Sequence, residues 1–227
     1  MKFEEHGRIA KLPHDKRGFP VPWFCAWDGD TPLFPVMDPA KLVQAIRQDK
    51  CWVCGEKLGK YKTFVIGPMC CINQITSEPP CHKDCAEFSA KYCPFLTRPK
   101  MRRIVTQDGT YLDQPTVKPA GIMLEHNPGA TALWTATSYR VDRVDHGVLF
   151  GLGPFVGLEF WAEGKLATRK QVGDAIDKGL PLLRRAAELD GPAGRRECEE
   201  KIADFLHVLG TLDWPDPPTR PKLEARA

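Results

Sequence analysis

Nowhere do the 227 residues hold an apolar run approaching the roughly eighteen needed to cross a bilayer. The opening MKFEEHGRIAKLPHDKRG also lacks the apolar stretch of a secretion signal, so the expected setting is soluble and cytoplasmic, with no membrane partner. Charge imbalance is scarce as well. Thirty-two Lys and Arg against 29 Asp and Glu leave only +3, so any claim for a nucleic-acid partner must rest on local clusters. The patterns G-x-x-x-x-G-K-[ST], G-x-G-x-x-G, G-x-S-x-G and H-E-x-x-H do not occur, which removes the commonest routes to nucleotide binding, serine hydrolysis and zinc peptidase chemistry. Zinc deaminases are excluded too: Cys81 follows Pro80, but the next cysteine comes four residues later, and a suitable H-x-E is missing.

Cysteine, by contrast, is plentiful and unevenly placed. Seven of the nine (Cys51, Cys54, Cys70, Cys71, Cys81, Cys85 and Cys93) share one short segment, while Cys25 and Cys198 stand alone. An odd, clustered set without a secretion signal points to metal rather than to a disulfide framework. Zinc takes four tetrahedral ligands from thiolate sulfur and imidazole nitrogen, and Cys51-Trp-Val-Cys54-Gly55 has the two-residue spacing that lets both thiols reach one ion from a tight turn. Gly55 permits the sharp return that follows. About thirty residues on, Pro79-Pro80 halts the chain and a helix is expected to start near Cys81 or His82. His82 and Cys85, three apart, then face one point on its first turn. The preferred ligands are Cys51, Cys54, His82 and Cys85, with Cys81, Cys70, Cys71 and Cys93 as alternates, and a second metal left open. Four protein ligands leave no position for water, so the expected cofactor is a structural Zn2+.

Between the two pairs, YKTFVI has strand character and Gly67-Pro68 marks a turn, so a hairpin is expected over 61 to about 75. This order of knuckle, hairpin and helix start resembles the treble-clef class of zinc fingers, and Cys51-x2-Cys54 with His82-x2-Cys85 resembles a LIM half-site. The resemblance spans residues 51–93. The gap between the pairs exceeds the usual LIM spacing and no second quartet follows, so the resemblance implies treble-clef geometry and zinc, not LIM partners. HNH nucleases also use a treble clef but carry a histidine on the hairpin, and residues 55–80 contain none.

The rest of the chain reads as follows. Residues 1–37 form a proline- and aromatic-rich arm, too proline-laden for a helix or central strand, whose Phe19, Trp23, Phe24 and Trp27 either pack on the core or line a binding face. Asp38-Pro39 opens a helix to about Gln48, because Asp caps well and Pro suits the first helical position. This helix leads into the metal-binding module of residues 38–96, and residues 97–130 make a polar, basic connector. Residues 131–212 hold antiparallel strands, at about 132–143, 147–152 and 156–162, arranged as a meander with turns at Asp145-His146-Gly147 and Gly153-Pro154. Three helices follow: one capped by Thr168 and Gln171 that stops near Gly179, one over 181–189, and one over about 193–209 with Cys198, Ile202, Phe205, Leu206 and Leu209 on a stripe. Residues 213–227 form a proline-rich tail expected to be extended or disordered. The fold class is α+β, with a treble-clef-like zinc-binding N-terminal half, a small antiparallel sheet and C-terminal helices.

Lys57, Lys60 and Lys62 near the knuckle, with Arg98, Lys100, Arg102 and Arg103 after the second ligand pair, make a candidate phosphate-contacting face. The reading favoured by the sequence is a binding or adaptor module that contacts nucleic acid or a protein partner. The alternatives are an enzyme with its active site between the N-terminal arm and the meander, and a cysteine-based redox protein.

Overall fold

The computed structural model describes residue 3 and residues 7–98, 127–145 and 147–215. A 3-10 turn, Ile9–Lys11, precedes two paired strands, β1 (Cys25–Asp28) and β2 (Thr31–Met37). The proline-rich arm thus contains a two-stranded ribbon, with no central strand. Asp28 pairs with Thr31 around Gly29 and Asp30, and a lone two-stranded ribbon has only edge strands, where Pro32 and Pro35 forfeit no shared ladder. Phe24 stacks on Trp52 at 5.1 Å and Trp23 meets the same ring edge-on at 6.4 Å, whereas Trp27 stays 39% exposed.

Helix α1 (Pro39–Gln48) starts as the sequence predicts: the Asp38 carboxylate accepts from the backbone N–H groups of Ala40 and Lys41. After the knuckle come β3 (Lys62–Ile66), α2 (Pro68–Asn73), β4 (Ile75–Thr76), α3 (Lys83–Tyr92) and α4 (Pro94–Thr97). The expected 61–75 hairpin does not form. Pro68 at the first position of α2 turns the chain into a helix, and β3 pairs instead with β5 (Thr131–Ala136), which every residue of its six buries.

The remaining strands are β6 (Tyr139–Val144), β7 (Gly147–Leu152), β8 (Phe155–Ala162) and β9 (Lys165–Leu166). They form two sheets, ordered β3-β5-β8-β9 and β4-β7-β6, rather than one meander. What reads as one strand over 132–143 breaks at 137–138, and the chain makes the β6–β7 hairpin in the second sheet before returning to pair β8 with β5. Gly153 is where it returns: a Cβ there would overlap the Ser138 carbonyl, and the Trp134 indole N–H donates to the Gly153 carbonyl at 2.9 Å. Gly153-Pro154 thus links the two sheets and is not a hairpin turn.

Helix α5 (Arg169–Glu188) begins at the expected capping box of Thr168 and Gln171 but runs through Gly179 and Pro181 as a single helix. Gly179 is buried against Met69, 2.7 Å from where a Cβ would sit, and Val172, Ala175, Ile176 and Leu183 bury the same face. That packing outweighs the roughly 1 and 3 kcal/mol that glycine and proline cost inside a helix. Helix α6 (Gly191–Thr211) packs on α5 and buries Cys198, Ile202, Phe205 and Leu209, while Leu206, expected on the stripe, is exposed. The main core joins both helices and α2 to β5, β7 and β8. A second, smaller cluster gathers Ile9, Leu12, Cys51, Val53, Leu58, Cys81, Cys85, Ala86, Ala90 and Leu133 around the knuckle.

Candidate metal centre

The chain leaves α1 through Asp49, which adopts the left-handed conformation (φ 51°), and enters a tight loop closed by Lys50 pairing with Lys57. Within it, Cys51 N–H donates to the Glu56 carbonyl at 2.7 Å and Gly55 N–H to the Cys51 carbonyl at 2.8 Å. Gly55 has φ +75°, and a Cβ there would lie 2.6 Å from the Trp23 ring. Both facts require glycine. The second ligand pair reaches the loop because Thr63 and Cys81 exchange two backbone hydrogen bonds, of 2.9 and 2.8 Å, and Trp52 N–H donates to the Pro80 carbonyl. His82 then stands at the N-cap of α3 with Cys85 in its first turn.

The result is that Cys51, Cys54, His82 and Cys85 bring their ligand atoms within 4.8 Å of one another. This Cys3His set could hold a metal ion such as zinc. Cys51 and Cys85 are fully buried. Two backbone N–H groups, of Cys54 and His82, point at the Cys51 sulfur at 3.5 and 3.4 Å. The His82 tautomer follows from geometry: Nε2 lies 3.1 Å from the Lys57 carbonyl, which only accepts, so Nε2 carries the proton and the Nδ1 lone pair faces Cys54 Sγ at 3.4 Å. An imidazole oriented in this way is ready to ligate.

Electrostatics supports the same conclusion. Burial opposes charge on Cys51, yet hydrogen bonds from Cys54, Cys85 and His82 hold its thiol far below the ordinary range. That thiolate pushes Cys54 up to about 12, pushes Cys85 up as well, and raises His82. Three sulfur anions at this spacing require a cation among them.

The alternates go elsewhere. Cys81 turns its thiol to the Thr63 carbonyl at 3.2 Å, Cys70 and Cys71 sit on α2 against the main core, and Cys93 caps the end of α3. None of the four joins the group of ligand atoms. Burial pushes the thiols of Cys25 and Cys70 up, to about 12 and about 11, and those of Cys71, Cys81 and Cys198 up as well.

Sequence reasoning missed Arg8. Its guanidinium reaches Glu56 at 3.1 Å and Asp84 at 2.8 Å, and Lys11 reaches Glu56 at 2.8 Å, tying the N-terminal turn across both halves of the ligand set. Partners 48 and 76 positions away leave no local signal. Of the basic residues singled out, Lys57 and Lys60 are exposed, and Lys60 Nζ lies 5.6 Å from the ring of Tyr61, itself 54% exposed. Lys50 similarly lies 5.3 Å from the Trp23 ring. Lys62 is largely covered, donating to the Gly59 carbonyl and pairing with Asp49 at 3.5 Å. Arg98 follows α4, its carbonyl accepting from Asn127; Lys100, Arg102 and Arg103 lie outside the described residues, as does His146. Among the described residues, no helix is long and apolar enough to cross a membrane. Comparison with protein-family models, curated proteins and solved structures found no match.

Proposed function

We propose that this chain is a zinc-structured binding module that contacts nucleic acid with the loop its metal centre holds in place. The observation that carries the reading is the closed Cys3His set, whose knuckle leads directly into exposed Lys57, Lys60 and Tyr61. Zinc takes all four ligands from the protein and does no chemistry; it fixes the loop so that ammonium groups and an aromatic ring are presented together, the combination that tracks a phosphate backbone and stacks on bases. The knuckle, β3, the Thr63–Cys81 bridge and the start of α3 are read as a treble-clef-like arrangement in which that bridge stands in place of the expected hairpin and α2 and β4 lie between its two sides.

The test pairs metal analysis with fluorescence anisotropy on labelled single-stranded and duplex oligonucleotides across a salt series. About one zinc per chain is expected, with affinity falling steeply as salt rises and a log–log slope made shallower by roughly 2 in Lys57→Glu/Lys60→Glu. Binding indifferent to salt and to these substitutions would replace the nucleic acid with a protein partner.

A further inference from the structure

An edge strand offers a row of unpaired N–H and C=O groups to any chain that meets it, and most edges of this fold are closed or short. Thr63 of β3 exchanges two backbone hydrogen bonds with Cys81, β4 and β9 are two residues each, and Pro32 and Pro35 interrupt the donors of β2. β6 is different. It is six residues long, it ends the order β4-β7-β6, and among the described residues its backbone has no partner other than β7. Val141 and Val144 are 37% and 40% exposed on it, and Arg140 and Arg143 are exposed as well.

The phase of the β6–β7 hairpin fixes which backbone groups are free. Val144 pairs with Gly147 across the two-residue connection 145–146, which makes this the closing hydrogen-bonded pair. Hydrogen-bonded and non-hydrogen-bonded pairs alternate in an antiparallel ladder, so Asp142 with Leu149 and Arg140 with Gly151 also direct their backbone groups inward. The N–H and C=O of Tyr139, Val141 and Arg143 therefore point to the open side. A second copy of this edge, running antiparallel, can bond only in registers that set these three residues against one another. Centring on Arg140 faces that cation with itself, centring on Asp142 faces that carboxylate with itself, and centring on Tyr139 or Arg143 pairs only an end of the strand. Centring on Val141 places Arg140 opposite Asp142 on both sides of the axis, joins the two Val141 side chains, and lets Tyr139 and Arg143 exchange hydrogen bonds. Arg140 and Asp142 already share one face, with Nε 2.8 Å from both carboxylate oxygens, so in this register two such pairs merge into one cluster of alternating charge.

We infer that β6 is an interface for a second copy of this chain, which pairs with it antiparallel about Val141 and joins the two small sheets into one, ordered β4-β7-β6-β6-β7-β4 around a two-fold axis. So short an edge buries less than a standard interface, and the dimer is weak and forms with rising concentration. The lysines of the knuckle loop and the metal ligands take no part, so this interface and the nucleic-acid reading stand or fall separately.

Sedimentation equilibrium of the full chain from about 5 to about 500 μM should show the mean mass rising from one chain toward two. Arg140→Asp and Asp142→Arg each set like charges opposite one another in this register and should each weaken self-association about tenfold or more. The exposed ion pair that each variant loses within its own chain contributes little to folding. An equimolar mixture of the two variants faces Arg with Asp at every such position again and should associate as the wild type does. Val141→Pro removes an N–H that the hairpin does not use, so the chain should fold while self-association is lost. A thermal melt confirms that each variant is folded. A single-chain mass at about 500 μM overturns the proposal. A dimer that persists in folded Val141→Pro overturns β6 as the interface, and a dimer indifferent to both charge variants, or a mixture that stays monomeric, overturns the register about Val141.

Discussion

Two clusters of buried residues in this protein are built on different principles. The main core draws on Phe64, Trp134, Phe150, Phe160 and Phe205 and on the long stripes of α5 and α6, so it is stabilised by apolar burial. The cluster around the knuckle has no fully buried aromatic ring; three of its ten buried residues are cysteines and two are alanines. This small apolar set underlies the irregular loop over 49–61, and the Cys3His group could fix that loop by holding a metal ion. A metal held there would do for one end of the molecule what side-chain volume does for the other.

Removing the metal is the strongest way to break the comparison. Chelation, or Cys51→Ser, forfeits coordination free energy on the order of 10 kcal/mol and should release the knuckle and the N-terminal turn, while α5 and α6 keep their helical signal. Hydrogen exchange would show this as lost protection at Cys51–Glu56 with retained protection at Val172–Leu183; uniform loss would mean that the two clusters are one cooperative unit. The converse experiment is Phe160→Ala in the main core, expected to cost about 3–5 kcal/mol in a denaturant melt of the metal-loaded protein with zinc stoichiometry unchanged. If zinc is lost too, the clusters are not independent.

Smaller changes sharpen the boundary. Gly55→Ala must place a side chain at φ +75° and displace Trp23, which should cost about 1–2 kcal/mol and weaken zinc retention in a chelator competition. Arg8→Ala removes two partly exposed ion pairs, with side-chain exposures near 39% on both the guanidinium and Asp84, so its effect on global stability should be under about 1 kcal/mol. Its signature would instead be faster proteolysis of the N-terminal segment at unchanged melting temperature. An unchanged cleavage rate would show that Ile9 and Leu12 alone hold the turn down.

Much of the metal site was legible because its determinants are local. Two-residue spacing in Cys51–Cys54, three-residue spacing in His82–Cys85, a glycine after the knuckle and a helix start after Pro79-Pro80 are features of short segments, and the structure brings those four ligands together. The cap of α1 and the capping box of α5 were legible for the same reason. Strand pairing was not. The sequence of β3 suits a strand wherever it pairs, and nothing within 61–75 says that its partner is β5, about seventy residues away, or that the turn after it is a helix. Gly179 and Pro181 likewise read as a stop, and only contact with Met69 and the underlying core shows why the helix continues.

What the sequence alone determined are the quantities that depend on neighbours along the chain: α+β class, helix starts, and ligand types at ligand spacing. The tertiary structure decided which cysteines remain outside the cluster, which nitrogen of His82 faces it, how Arg8 spans it, and that β6 ends its sheet. These depend on residues brought together by folding, and pairings over such separations are selected by the burial and hydrogen bonding of the whole chain, not by any pattern within one segment.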